Sequence, residues 1–130
     1  MATAPAFAAT PNCSGATASA TLDTSLTAPT NTAVIFTAGA SGSKVDELRF
    51  LGLGTTVAGV INVFRKRSGT FFLIDQILVT AVTSSTTAVA FQAVRTYENL
   101  ILQNGDTIEF TVTVAGLQSL IKGNAFGGDY

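Results

Sequence analysis

With 130 residues, seven Lys or Arg against eight Asp or Glu, and no histidine, the chain has room for one domain with its own core and exerts no general electrostatic pull on nucleic acid. Charged residues are only 12%, about half the usual share for a soluble domain, which points to weakly charged faces that partner subunits cover. The single cysteine, Cys13, excludes an internal disulfide framework, and no apolar run approaches a membrane span of roughly 18 residues.

Residues 1–30 form a zone of Ala, Thr and Ser that holds all three prolines, Pro5, Pro11 and Pro29. Its large apolar side chains are Phe7, Leu22 and Leu26, too few to offset the entropy of ordering the segment. The zone therefore reads as an extended or mobile N-terminal arm, with Phe7 as its anchor on a partner. Its first residues lack the positive n-region and continuous apolar h-region of a secretion signal, so synthesis in a reducing cytoplasm is expected.

From residue 31 to residue 130 the pattern is β. "TAVIFTA" (32–38) is β-branched and aromatic, and "GASGS" (39–43) punctuates it. "KVDELRFLGLG" (44–54) is a second strand. "TVAGVINVFRK" (56–66) alternates, with Ile61 and Val63 on one face and Asn62 and Phe64 on the other. Ser68-Gly69 then predicts a hairpin turn into "TFFLIDQILVTAV" (70–82), which is apolar on both faces. Phe71, Leu73, Ile77 and Val79 oppose Phe72, Ile74 and Leu78, and burial on two sides implies a covering subunit. After the polar link 84–87, residues 88–97 alternate again. "NLILQNGDTIEFTVTVAG" (99–116) predicts a hairpin about Asn104-Gly105, because that pair accepts positive φ. Ile108, Phe110, Val112 and Val114 should face the core. The ending "GNAFGGDY" (123–130) reads as a last strand in which Phe126 packs, Gly127-Gly128 supply close backbone approach or positive φ, Asp129 pairs with an arginine such as Arg49 or Arg95, and Tyr130 anchors a subunit or domain seam. The class is all-β: an antiparallel, jelly-roll-like β-sandwich of about eight short strands.

Residues that carry chemistry are sparse. Without histidine, neither a triad nor an activated Cys13 is supported. The acids are scattered along the chain. Asp75, in the most apolar strand, is better read as a satisfied edge residue or an intersubunit partner for an arginine than as a functional carboxylate. No zinc or calcium ligand pattern occurs, and no glycine-rich phosphate loop precedes a helix. Arg65-Lys66-Arg67 forms a footprint too small for nucleic acid and is expected to be a solvated strand end. An enzyme is not expected, nor is any catalytic residue, metal or cofactor, nor a nucleic-acid or membrane partner.

Two stretches carry a resemblance: "Asn99-Leu100-Ile101-Leu102…Gly105-Asp106-Thr107-Ile108", and the ending "Ala125-Phe126-Gly127-Gly128-Asp129-Tyr130". They resemble a group of small β-rich virion proteins of tailed bacteriophages, several of which resemble capsid cement or decoration proteins. "Thr37-Ala38-Gly39-Ala40-Ser41-Gly42-Ser43-Lys44-Val45" and "Val57-Ala58-Gly59-Val60-Ile61-Asn62-Val63-Phe64" are similar to that group as well. The likeness runs from about Ala33 to Tyr130. It departs at Gln103-Asn104, where the group prefers a proline-containing turn.

The resemblance implies a structural protein on the capsid surface, made in the host bacterial cytoplasm. Its partners would be the major capsid protein and further copies of itself, as a homo-oligomer and most simply a trimer. The residues expected at the interfaces are Phe7, Phe71, Phe72, Ile74, Phe126, Asp129 and Tyr130. A tail, neck or fibre-base component is the alternative within the same class. A host-surface glycan-binding module is the alternative from another class, weakened by the lack of tryptophan.

Overall fold

The computed structural model describes residues 10–130. Among them are eight strands: β1 (Thr10–Thr17), β2 (Ala33–Thr37), β3 (Ser43–Gly52), β4 (Gly59–Arg67), β5 (Thr70–Val79), β6 (Gln92–Leu102), β7 (Thr107–Val112) and β8 (Ile121–Asp129). They form two four-stranded antiparallel sheets, ordered β1-β8-β3-β6 and β2-β7-β4-β5. The fold is an all-β sandwich, as the alternating pattern predicts. β4 pairs with β5, β3 with β6, β2 with β7 and β1 with β8, and these pairs alternate between the sheets. The chain is thus one long antiparallel ribbon folded over on itself.

The two inner faces meet in an apolar core. Phe50 from one sheet and Phe110 from the other, both fully buried, pack edge to face with centroids 5.3 Å apart and planes at 74°, the geometry that aromatic quadrupoles prefer. Leu48 and Ile121 join them from one side, and Ile61, Val63, Ile108 and Val112 from the other.

The β4–β5 hairpin forms as expected: Ser68 and Gly69 both adopt positive φ, 50° and 81°, which matches the twist of the flanking strands. The expected hairpin about Asn104-Gly105 does not form. Of that pair only Gly105 has positive φ (86°), and the strands on either side lie in different sheets, β6 beside β3 and β7 between β2 and β4. The Asn-Gly pair marks where the chain reverses; the pairing partners are chosen by which sheet buries each apolar face.

The N-terminal boundary also moves. Thr10–Thr17 is not a free arm but edge strand β1, paired along its length with β8 from Thr10↔Asp129 to Thr17↔Lys122. Backbone pairing supplies what its small side chains lack in apolar area. Two of those side chains also fasten β1 to the opposite sheet: the Asn12 amide donates to the Thr37 carbonyl (3.2 Å) and the Ser14 hydroxyl to the Ile35 carbonyl (2.5 Å). The following loop is ordered by Asp23, whose carboxylate accepts from the backbone N–H groups of Ser25, Thr30 and Asn31. The sandwich therefore includes residues placed in the expected arm, and Phe7 lies outside the described residues.

Candidate interaction surface

β5 and β6 are the edge strands on one side of the sandwich. β5 carries a bulge: Val63 pairs with Asp75, Phe64 pairs with Leu73, and Ile74 is the extra residue. A bulge reverses side-chain parity along a strand. Phe71 and Leu73 therefore share the outer face with Gln76 and Leu78, while Ile77 and Val79 turn into the core, which corrects the expected grouping. Phe71 is half-buried, edge to face on the buried Phe64 at 5.8 Å. Ile74 packs against the core. Phe72, Leu73 and Leu78 are left exposed, and Leu78 keeps 70% of its surface open.

On the neighbouring edge strand β6, Val94 and Ile101 are exposed on the outer face of the other sheet, opposite Arg49 and Lys44, and Val89 is exposed just before it. An open apolar groove of about 460 Å³ runs between the ends of the two strands, lined by Leu78, Val82, Val89 and Phe91 among others. Leu78 belongs to the strand read from the sequence as apolar on both faces, but Val89, Val94 and Ile101 were not among the expected interface residues. The available signal was an apolar residue on each of two alternating faces, as at Val94 beside Ala93.

Asp75 ties this edge together. Its carboxylate accepts from the Tyr97 hydroxyl (2.9 Å) and lies 3.2 Å from Arg95 Nε, while Arg95 Nη2 donates to the Gln76 carbonyl (3.0 Å). The arginine partner belongs to the same chain. Burial first, then the hydrogen bond to Asp75, pushes the Tyr97 phenol well above its ordinary range. A raised folded-state value means the contribution is complete below about pH 10, the unfolded phenol value, and is lost as pH rises through the folded one. Tyr97→Phe should remove this alkaline component of the stability curve. Identical alkaline unfolding of the two proteins, followed by circular dichroism, would count against the latch.

The basic cluster is absorbed within the chain. Arg65 lies over Phe72 (4.8 Å) and Lys66 over Phe71 (5.0 Å), contacts in which the ring quadrupole attracts the cation. Arg67 grips the buried Asp106 with Nε at 3.0 and 3.1 Å and Nη2 at 2.7 Å. Arg67 holds the Asp106 carboxyl below the usual range, helped by the Gln103 N–H. Such a carboxylate stabilises the fold above its unfolded value, about 3.9, and stops doing so as pH falls through the depressed folded value. We expect Asp106→Ala to cost about 2 kcal/mol at neutral pH, with the difference from wild type closing in acid. Urea titrations across that range measure it, and a pH-independent difference would refute the ion-pair account.

The ending differs from expectation in two respects, at Asp129 and at Phe126. Asp129 meets neither Arg49 nor Arg95. It accepts instead from the Ser43 hydroxyl (2.5 Å) and the Asn12 amide (2.8 Å), and these, with the Gly39 N–H, hold it below the ordinary carboxylate range. Arg49 pairs with Glu47 at 3.0 Å. Phe126 is not packed in the core but 40% exposed on the outer face, where Arg49 lies 5.9 Å from its ring centroid. Tyr130 is half-buried, its N–H donating to the Gly42 carbonyl. The interface candidates thus fall into two groups that the fold keeps apart: Phe71, Phe72 and Ile74 on edge strand β5, and Phe126, Asp129 and Tyr130 in or just beyond β8 in the other sheet.

Among the described residues no three His, Cys, Asp or Glu side chains cluster as metal ligands would. Comparison with protein-family models, curated proteins and solved structures returned no match.

Proposed function

We propose that the chain is a structural virion protein of a tailed bacteriophage, a capsid cement or decoration protein that binds the major capsid protein and stabilises the head. The observation that carries this reading is the β5–β6 edge. It presents apolar side chains beside unpaired strand edges, and the one acid in β5, Asp75, is already neutralised by Arg95. The bulge at Ile74 and the inward-facing Asp75 guard the β5 backbone against stray strand pairing, so what stays open to a partner is the exposed apolar side chains, Leu73 and Leu78 among them, and these fit a protein that works in assemblies.

The strand order β1-β8-β3-β6 against β2-β7-β4-β5 supports a jelly roll, an architecture that recurs in viral capsids and lectins. A trimer closes only through two different patches on each copy. The β5–β6 edge would supply one and the exposed Phe126 face the other. Burying Leu78 is worth about 1.5–3 kcal/mol, roughly tenfold or more in Kd, and many copies on a shell multiply the effect.

Mass spectrometry of purified virions with cryo-EM localisation tests the assignment. Many copies on the shell support it, whereas a few copies at the neck or tail favour a tail component. Leu78→Glu should keep the fold, because Leu78 is exposed, and should lower shell occupancy about tenfold. Unchanged occupancy would remove β5 from the interface. The glycan-binding reading has a groove of about 380 Å³, lined by Val34, Lys66, Ser68, Thr107 and Glu109 among others. Its Glu109 is already engaged by Thr32 and Thr107. A glycan array separates the two readings.

A further inference from the structure

We infer that Asn104-Gly105 is a site of spontaneous deamidation that marks the age of the folded protein at its sheet-to-sheet turn. Three observations meet there. Asn104 is exposed, so water and base reach its amide. Gly105 has no side chain to hinder ring closure, and a Cβ built on it would meet nothing within 4 Å. The Gly105 N–H, the attacking group, donates to no other group among the described residues.

The chemistry needs only water. The Gly105 amide nitrogen gives its proton to solvent base and attacks Asn104 Cγ. A C–N bond forms, the bond from Cγ to the amide nitrogen breaks, and ammonia leaves with a proton from solvent. The resulting five-membered succinimide then takes up one water. Opening at the side-chain carbonyl gives an aspartyl residue, and opening at the main-chain carbonyl gives an isoaspartyl residue. Hydroxide promotes the first step, so the rate rises with pH.

The five other asparagines lack this combination. Asn12 donates its amide to Thr37 and Asp129, Asn62 is buried against Gln76, and Asn99 and Asn124 lie within β6 and β8. Asn31 precedes Thr32, whose branched Cβ obstructs the attack.

The position gives the reaction a structural effect. The turn is closed by the Asp106 N–H donating to the Gln103 carbonyl and the Gln103 N–H donating to Asp106 Oδ2, both at 3.0 Å. That same Asp106 carboxylate holds Arg67. An isoaspartyl link lengthens the main chain by one methylene inside the turn and adds a carboxylate near Asp106. Each change opposes the Asp106–Arg67 contact, so the aged chain should be less stable than the fresh one.

The test ages the purified full chain in mildly alkaline buffer at physiological temperature, follows peptide masses, and identifies isoaspartate with isoaspartyl methyltransferase. The peptide containing Asn104 should convert while the other asparagine peptides stay intact. The converted protein should then melt at a lower temperature than equally aged Asn104→Gln, whose longer side chain closes the ring far more slowly. Conversion at Asn104 no faster than at Asn31 or Asn99 would overturn the site. Conversion without a drop in melting temperature relative to aged Asn104→Gln would overturn its effect on the turn.

Discussion

Phe110→Ala is expected to lower the unfolding free energy by about 3–5 kcal/mol. The ring is fully buried in a central strand and makes the edge-to-face contact with Phe50 that joins the two sheets. Its removal takes away the transfer free energy of an aromatic side chain and leaves a cavity between layers that hydrogen-bonded strands prevent from collapsing. In urea, the midpoint should fall with little change in slope, since the surface exposed on unfolding is nearly unchanged. A loss under about 1 kcal/mol would mean that the site repacks freely, and the account of the core would be wrong.

Gly127→Ala should be at least as disruptive locally, for a different reason. A Cβ at Gly127 would fall on the Lys44 carbonyl oxygen and lie 3.0 Å from Val45 Cα. Both are backbone atoms of β3, opposite the bulge at Asp46, so no side-chain rotation relieves the clash. β8 must then shift from β3, loosening its hold on β1 and moving Asp129 away from Ser43 and Asn12. We expect a loss of about 3 kcal/mol or more. Gly54→Ala is the matched control, because its Cβ would meet only the end of the flexible Leu120 side chain at 3.2 Å. Equal stability of the two variants would show that β8 accommodates a methyl at that point, and the close approach would lose its role.

Much of the fold was legible because period-2 alternation with turn residues is a local signal. Ile108, Phe110 and Val112 face the core as their spacing requires, and Ser68-Gly69 turns as its chemistry requires. Pairing partners were not legible. Nothing near Asn104 tells the chain that β6 belongs beside β3 and β7 beside β4, because that choice depends on residues distant in sequence. β1 escaped notice for a related reason: Thr10–Thr17 carries almost no apolar pattern, and its stability comes from backbone hydrogen bonds to β8, to which side-chain periodicity is blind. In β5 the composition was informative but the faces were not, since one extra residue at Ile74 exchanges inside for outside. The attraction of Asp129 for an arginine was argued from charge alone. Short, neutral donors on neighbouring strands satisfied it instead, and they cannot be recognised before the register is known.

The ribbon topology also sets the order in which the structure can be completed during synthesis. β8 lies between β1 and β3, so among the described strands the first made is joined to its sheet only through the last. Until β8 leaves the ribosome, β1 has no hydrogen-bonding neighbour in its sheet, and β3 has only β6. With Thr10 paired to Asp129, the closing contact spans nearly the whole described chain, and such non-local pairings fold slowly. During that interval the nascent protein exposes unfinished sheet edges, which are targets for chaperones and for aggregation. Insertion of β8 seals the sandwich and fixes the bulged β3 against it.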